Sequence, residues 1–329
     1  MSRPRLGFLG VGWIGRHRME AMLATGAVEA AAVADPSPEC TEQALALAPG
    51  AAAVEGLDGL LAAEVDGIVI ATPSALHAEQ SIKALEAGAA VFCQKPLGRG
   101  AAEAKAVVEA ARKADRLLGV DLSYRFTEGM RRIRERLESG ELGRVYAVDL
   151  VFHNAYGPDK PWFYDPELSG GGCVIDLGVH LVDLALWALD FPAVKGVASH
   201  LLAGGEPLRP GAVEDYAVAQ LELESGASVR LACSWRLPAG REAIISAAFY
   251  GTGAGASLRN VGGSFYDFEA ELHRGTGAET LASPPDEWGG RAAADWAVRL
   301  AAGERFDAGA DKLVEVAAVL DRIYGRTTA

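Results

Sequence analysis

Four stretches of the chain combine residue types that could do chemistry together. The first is Gly10-x-Gly12-x-x-Gly15, with Trp13 and Ile14 between its glycines, which follows a short apolar run and opens a helical pattern. In that setting the first glycine permits a tight turn and the second lets a pyrophosphate approach the backbone. The third lets the helix pack on the strand. Unpaired N–H groups at the helix start, aided by the dipole, would hold the phosphates. Asp35 follows Gly15 by 20 residues, at the end of the second apolar run. Its carboxylate there can accept hydrogen bonds from both hydroxyls of an adenosine ribose and would repel a 2′-phosphate. Pro36 and Ser37 bring no compensating cation, so the cofactor expected is NAD rather than NADP. Arg16 and Arg18 are the nearby guanidiniums that could oppose this preference.

Two further stretches each follow a short apolar run. Thr72-Pro73-Ser74 with His77 could border the nicotinamide ribose, and an ordinary turn with a helix N-cap gives the same pattern. In Gln94-Lys95-Pro96 a lysine directly after a buried strand points into a cleft, and Pro96 keeps it out of a helix. The competing reading is a solvated surface lysine. The fourth stretch runs from Ser169 through Gly170-Gly171-Gly172 to Asp176, His180 and Asp183. Spacings of four and three place the last three on one helix face, while Val174, Ile175, Leu177, Val179, Leu181 and Val182 take the others. Ionisable groups on a buried helix are costly unless paired or used. A His–Asp pair satisfied in the core is the alternative. No second histidine lies at ligand spacing, so no metal site is expected.

These stretches need a scaffold, and the first 120 residues spell one out. Apolar runs at Leu6–Leu9, Val28–Ala34, Ala51–Val54, Ile68–Ala71, Val91–Cys93 and Leu117–Asp121 alternate with helical patterns. This grammar predicts an α/β fold, a doubly wound parallel Rossmann sheet with helices on both faces. From Ser123 the pattern changes to a charged helix, a long alternating strand at Val145–His153 and a helix at Val174–Leu189. Strands are then expected at Val194–Leu202, Tyr216–Glu224, Ser228–Trp235 and Ala243–Tyr250, and helices at Trp288–Ala301 and Gly309–Tyr324. Glu224-Ser225-Gly226 reads as a hairpin turn. The second part is therefore an α+β domain with a large, mostly antiparallel sheet. The expected division is a dinucleotide-binding domain over 1–121 and a substrate-binding and oligomerisation domain over 122–329.

Composition narrows the partners. The 329 residues carry 31 basic and 44 acidic side chains, a net charge of 31 − 44 = −13. That acidity argues against nucleic acid, whose binding requires cationic surface, and against an anionic membrane. Half the residues (50%) are hydrophobic, enough for a core without staples. Cys40, Cys93, Cys173 and Cys233 are too scattered for a disulfide framework or a zinc site and read as reduced thiols in the cytoplasm. The N-terminus lacks the apolar core of a signal peptide, and no apolar run reaches the roughly 20 residues of a membrane span.

Together, Gly10–Gly15, Thr72–His77, Gln94-Lys95-Pro96 and Gly170–His180 resemble the Gfo/Idh/MocA oxidoreductase family, over nearly the whole chain. Ser123-Tyr124-Arg125-Phe126 and Glu141-Leu142-Gly143 extend the likeness. The resemblance implies that Lys95 and His180 contact the reacting carbinol, with Asp176 beside them, and that a cis peptide precedes Pro96. The family usually has glutamate before the lysine; here the residue is Gln94. On this reading a secondary alcohol of a sugar or cyclic polyol gives hydride to NAD⁺, His180 is the base and Lys95 steadies the developing alkoxide. Tyr124, Asn154 and Trp162 are the further substrate contacts expected, the latter two on an aromatic-rich loop that suits sugar rings. Trp235 and Arg236 are lesser candidates. The broad sheet is expected to pack against another subunit in a homodimer or homotetramer. Two alternatives stay open: a lyase or glycosidase that oxidises its sugar transiently, and a non-catalytic NAD-binding regulator.

Overall fold

The computed structural model describes residues 2–326, which form two compact units. One comprises residues 2–121 with Gly290–Val314, the other Leu122–Gly289 with residues 315–326.

In the first unit, strands β1 (Arg5–Leu9), β2 (Glu29–Ala34), β3 (Ala52–Ala53), β4 (Gly67–Ile70), β5 (Ala90–Cys93) and β6 (Leu118–Val120) form one sheet in the order β3-β2-β1-β4-β5-β6. Every pairing is parallel. Helices α1 (Trp13–Ala24), α2 (Pro38–Leu47), α3 (Gly56–Ala62), α4 (Ser74–Glu86) and α5 (Ala101–Ala114) are the crossovers. β4 and β5 are buried at every position, as strands covered on both faces must be. The strand order reverses between β1 and β4, and it is outside the carboxyl ends at such a switch point that doubly wound sheets bind ligands.

Chain order places the helix near residue 291 in the second domain, yet the structure packs it with the first unit. Helix α9 (Arg291–Ala301, the ninth in chain order) carries Trp296, which is 2% exposed and lies against Phe92 with ring centroids 5.7 Å apart. The indole fills two holes in the sheet: a Cβ on Gly67 would lie 2.9 Å from it and one on Gly119 2.6 Å. Such complementarity is invisible to a reading that follows the chain.

The second unit contains α6 (Glu128–Glu138), β7 (Val145–Asn154), α7 (Pro166–Ser169), a π-helical turn at Val174–Gly178 and α8 (Val179–Ala188). Strands β8 (Val194–Ala203), β9 (Glu206–Pro207), β10 (Tyr216–Leu223), β11 (Ser228–Ser234), β12 (Ala243–Gly251), β13 (Gly255–Asn260), β14 (Phe268–Arg274) and β15 (Gly277–Ala282) follow. Helix α10 (Asp311–Ile323) ends the described fold. The nine strands run β15-β14-β13-β12-β7-β11-β10-β8-β9, antiparallel except where β7 meets β11. Alternation buries Val148, Leu150 and Phe152 of β7 with Ile245, Ala247 and Phe249 of β12, on one face. β13, β14 and β15 go beyond the expected strands. Phe268, Ala270 and Leu272 alternate with Glu269, Glu271 and His273, a period-two signal masked by the glycine-rich turns around it.

The helix expected at Val174–Leu189 begins instead with the π turn, which changes the angular offset between Asp176 and His180. Taken with the turn before it, Pro166–Ala188 spans 23 residues and is apolar enough to cross a bilayer, longer than the sequence suggested. Of its apolar window 89% is buried within the protein, as in a core helix.

Trp296→Ala empties the sockets at Gly67 and Gly119. We expect a loss of about 3–5 kcal/mol in the stability of the first unit, measured by urea unfolding followed by far-UV circular dichroism.

Candidate functional site

At the glycine loop the three positions are used in three ways. Gly10 has φ +82°, and a Cβ there would lie 2.6 Å from the Ala71 carbonyl oxygen. Gly15 lies so close to β1 that its Cβ would meet the Gly10 carbonyl oxygen at 2.1 Å. A Cβ added at Gly12 would meet nothing within 4 Å, and no side chain caps α1. Open space therefore faces helix-start N–H groups that no side chain occupies, the form a pyrophosphate needs. Trp13, 63% exposed, stands at its rim, and Ile14 follows in the first turn.

Asp35 is fastened to this loop. Its Oδ2 accepts from Val11 N at 2.7 Å and its Oδ1 from Ser37 N at 2.8 Å. A carboxylate offers about four acceptor positions, so each oxygen keeps one for a ribose hydroxyl. These residues fit a dinucleotide. Arg18 is not available to a 2′-phosphate: it is buried and gives its Nε to Asp121 Oδ2 at 2.6 Å. Arg16 stays near the loop, with Nη1 3.4 Å from the Val11 carbonyl oxygen.

The next two loops are tied to each other. His77 is buried, with Nδ1 2.6 Å from the Pro96 carbonyl oxygen and Nε2 2.8 Å from that of Thr72. Both ring nitrogens are thus engaged by backbone, so His77 braces the loops and is not open to contact a cofactor. Burial pulls its pKa down against the pull of the two carbonyls. The Thr72 hydroxyl donates to Gln80 Oε1 at 2.6 Å, and Pro73 leads into α4. The Lys95–Pro96 peptide is cis, as the family likeness implied. Gln94 is buried and donates Nε2 to Asp121 Oδ2 at 2.7 Å, so a glutamate at this position would set two carboxylates face to face.

In the second unit a buried carboxylate organises the start of the helix. Glu214 Oε2 accepts from Gly172 N at 3.0 Å, and Oε1 from Val174 N at 2.8 Å and the Tyr324 hydroxyl at 2.7 Å. Burial raises its pKa, and these donors pull it back. The triple glycine follows from this crowding: a Cβ on Gly172 would lie 1.9 Å from the Glu214 carbonyl oxygen, and one on Gly171 2.1 Å from the Tyr324 hydroxyl. The π turn then presents Asp176, whose Oδ2 accepts from Trp235 Nε1 at 3.0 Å.

His180 sits one turn further on, in the wall of an aromatic cluster. Its ring lies 4.9 Å from that of Tyr124, which also packs on Phe152, Phe268 and Trp288. Tyr124 is 8% exposed, and burial drives its phenol pKa upward, so it supports His180 from within the core. Asp183 does not share their role. It is buried and held by Arg125, whose Nε reaches Oδ2 at 2.8 Å and whose Nη2 binds Oδ1. Of the two outcomes expected for an ionisable group on a buried helix, pairing or use, Asp183 shows pairing, with a guanidinium from the segment before α6.

Asn154 uses its Oδ1 to accept from Tyr156 N at 2.7 Å and thus shapes its own turn. Trp162 stacks on Phe163 at 3.8 Å, and Phe163 and Tyr164 present edges to Trp235. The aromatic loop therefore adjoins the tryptophan that holds Asp176. Sequence reasoning missed Glu214, Asp121 and Arg125. Glu214 has no local signal. Asp121 had a faint one, a carboxylate closing an otherwise apolar strand.

Residues 5–122 match the oxidoreductase family with an NAD-binding Rossmann fold, and residues 130–257 match the GFO/IDH/MocA C-terminal domain. The chain is 32% identical over 211 residues to D-glucoside 3-dehydrogenase of Escherichia coli (strain K12), covering 60% of each protein. It thus spans less than two thirds of that relative's length. It is 34% identical over 251 residues to the putative UDP-kanosamine synthase oxidoreductase subunit of Amycolatopsis mediterranei (strain S699), covering 70% of this chain and 68% of the other. The structure of GenD2 from gentamicin A biosynthesis in complex with NAD superposes with a TM-score of 0.83 at 25% identity, over 99% of this chain and 94% of that one. With both halves matched in sequence and the fold matched throughout, the chain belongs to the Gfo/Idh/MocA oxidoreductase family.

Proposed function

We propose that this protein is an NAD-dependent dehydrogenase that moves a hydride between the cofactor and a secondary alcohol of a sugar or cyclic polyol. The observation that carries the reading is the cradle: open space at Gly12, close contact at Gly15, and an aspartate stitched to the loop by Val11 N. The sugar and polyol activities named for its relatives point to the same substrate class.

When bound, the nicotinamide supplies the hydride acceptor or donor, and the chain's residues bind, orient and handle the proton. Gly12, Trp13 and Ile14 would meet the pyrophosphate and Asp35 the adenosine ribose, with Gln94 and the Thr72–Pro73 turn serving the nicotinamide side. Lys95, as an ammonium, would donate to the substrate oxygen and stabilise charge developing there. His180 would take the hydroxyl proton, held in place by the Tyr124 ring. Asp176, oriented by the Trp235 indole, would polarise the site. Tyr124 packs on Phe152, Phe268 and Trp288 and would meet the substrate only beside His180, while Trp162 and its loop would offer the wider sugar-facing surface.

The preference for NAD rests on Asp35 and on the burial of Arg18. Packing of two or four copies through the open face of the nine-stranded sheet is also proposed, supported by the half-covered apolar side chains of Val151, Ile244 and Ala248 on that face. A cytoplasmic location is supported by the four free thiols.

A thermal-shift screen with NAD⁺ or NADP⁺, each combined with inositols, aldoses and nucleotide sugars, tests the reading. Selective stabilisation by NAD⁺ with one sugar or polyol is expected, with accumulation of reduced nicotinamide absorbance. Product without that absorbance would indicate the transient-oxidation chemistry instead. Lys95→Ala and His180→Ala should each lower kcat by about 10²- to 10⁴-fold while NAD⁺ affinity stays unchanged in fluorescence titration. Asp35→Ala should raise the KM for NAD⁺ about tenfold and leave that for NADP⁺ equal or lower. Trp235→Phe keeps a ring but removes the donor to Asp176, and we expect about tenfold lower kcat at constant NAD⁺ affinity in steady-state assays.

A further inference from the structure

At the end of β5 lies a buried side chain whose orientation its neighbours determine. Gln94 is 8% exposed, and its Nε2 lies 2.7 Å from Asp121 Oδ2. The same oxygen accepts from Arg18 Nε at 2.6 Å, and both partners are buried, Asp121 to 2% exposure. A carboxylate paired with a guanidinium accepts and does not donate, so only the amino end of the Gln94 amide can face it. The carbonyl end, Oε1, is turned the other way. It accepts no hydrogen bond from any described residue.

The strand order says what that acceptor would meet. β2, which leads directly into Asp35, lies on one side of the switch between β1 and β4, and β5 lies on the other. A dinucleotide laid across the switch with its adenosine ribose at Asp35 brings its nicotinamide half toward the carboxyl end of β5. We propose that Asp121 is a positioning residue: paired with Arg18, it locks the Gln94 amide so that Oε1 is presented only as an acceptor to a donor on the nicotinamide half of the cofactor. The assignment rests on the dehydrogenase reading for the identity of the ligand, but the lock itself is a property of the cofactor-free protein. It also joins α1, which begins in the glycine loop, to the segment that carries Lys95, through Arg18, Asp121 and Gln94.

Gln94→Glu tests the lock. A glutamate here can reproduce the contact only when protonated, because its hydroxyl must donate to Asp121. The neighbouring carboxylate raises the folded-state pKa of the introduced carboxyl above the unfolded value of about 4.3. A raised carboxyl contributes stability that is full below the unfolded pKa and lost as pH rises through the folded pKa. The other charged or titratable groups around this point are Arg18 with His17 behind it on α1, Cys93 on β5 and Lys95 next in the chain. The Cys93 thiol is pushed up to about 12 by burial, and all of these groups are common to variant and wild type.

The melting temperature of cofactor-free Gln94→Glu should match wild type near pH 4.5 and fall about 5 °C below it by pH 8. NAD⁺ affinity measured by fluorescence should fall over the same pH window. In the double variant Gln94→Glu with Asp121→Asn that pH dependence should vanish, because the new carboxyl no longer faces a second one. Gln94→Leu, which lacks the acceptor, should bind NAD⁺ about three- to tenfold more weakly at every pH. A Gln94→Glu melting profile parallel to wild type, or a pH dependence that survives in the double variant, would overturn the lock. Wild-type affinity in Gln94→Leu would overturn the acceptor role. Failure of the wild type itself to bind NAD⁺ would instead sink the dehydrogenase reading and the acceptor role with it, while the cofactor-free melting profiles would still decide the lock.

Discussion

The nearness of α1 to β1 is the constraint on which the nucleotide-binding unit is built. Where Gly15 passes the Gly10 carbonyl, there is no room even for a methyl group. That approach aims the first turn of α1 at open space around Gly12 and leaves its N–H groups without a side-chain cap. It also brings Val11 N within reach of Asp35, so the uncapped helix-start N–H groups and the Asp35 carboxylate are set by one contact. A side chain at Gly15 would therefore displace the helix start and the Asp35 carboxylate together.

The second unit solves a comparable problem with charge. Its helix starts inside the protein, where N–H groups cannot turn to water, and Glu214 supplies the acceptors. Helix-start dipole and carboxylate are complementary, and the Tyr324 hydroxyl adds a donor to the same oxygen. The glycines before the helix are small because Glu214 and Tyr324 crowd them. Asp176 and His180 then take their places along a helix whose start cannot shift without stranding a buried carboxylate.

Buried charges in this protein occur in shared clusters. Arg18 and Gln94 meet on Asp121, and Arg125 grips Asp183. Removing one member would strand the other in a low-dielectric interior, which is far costlier than the pair itself. Seen this way, the glutamine before Lys95 is matched to its surroundings. With Asp121 already in place, the position takes an amide that can donate.

Much of this was legible from one-dimensional order. Strands separated by helices of crossover length dictate a parallel sheet, and the glycine spacing with Asp35 at a strand end dictates the cradle, because both depend on contacts close along the chain. Lys95 and His180 stood out as candidates in the sequence, one directly after a buried strand and the other on the polar stripe of a buried helix, and the family resemblance supplied the roles expected of them. Tertiary structure alone decided the rest. His77 turned out to be a brace and Arg18 an internal counter-ion because their partners lie 19 and 103 residues away. Helix α9 returned to the first sheet because Trp296 matched holes left by Gly67 and Gly119. Sequence carries periodicity and local turn chemistry, whereas the occupancy of a polar atom depends on which distant group folding brings to it.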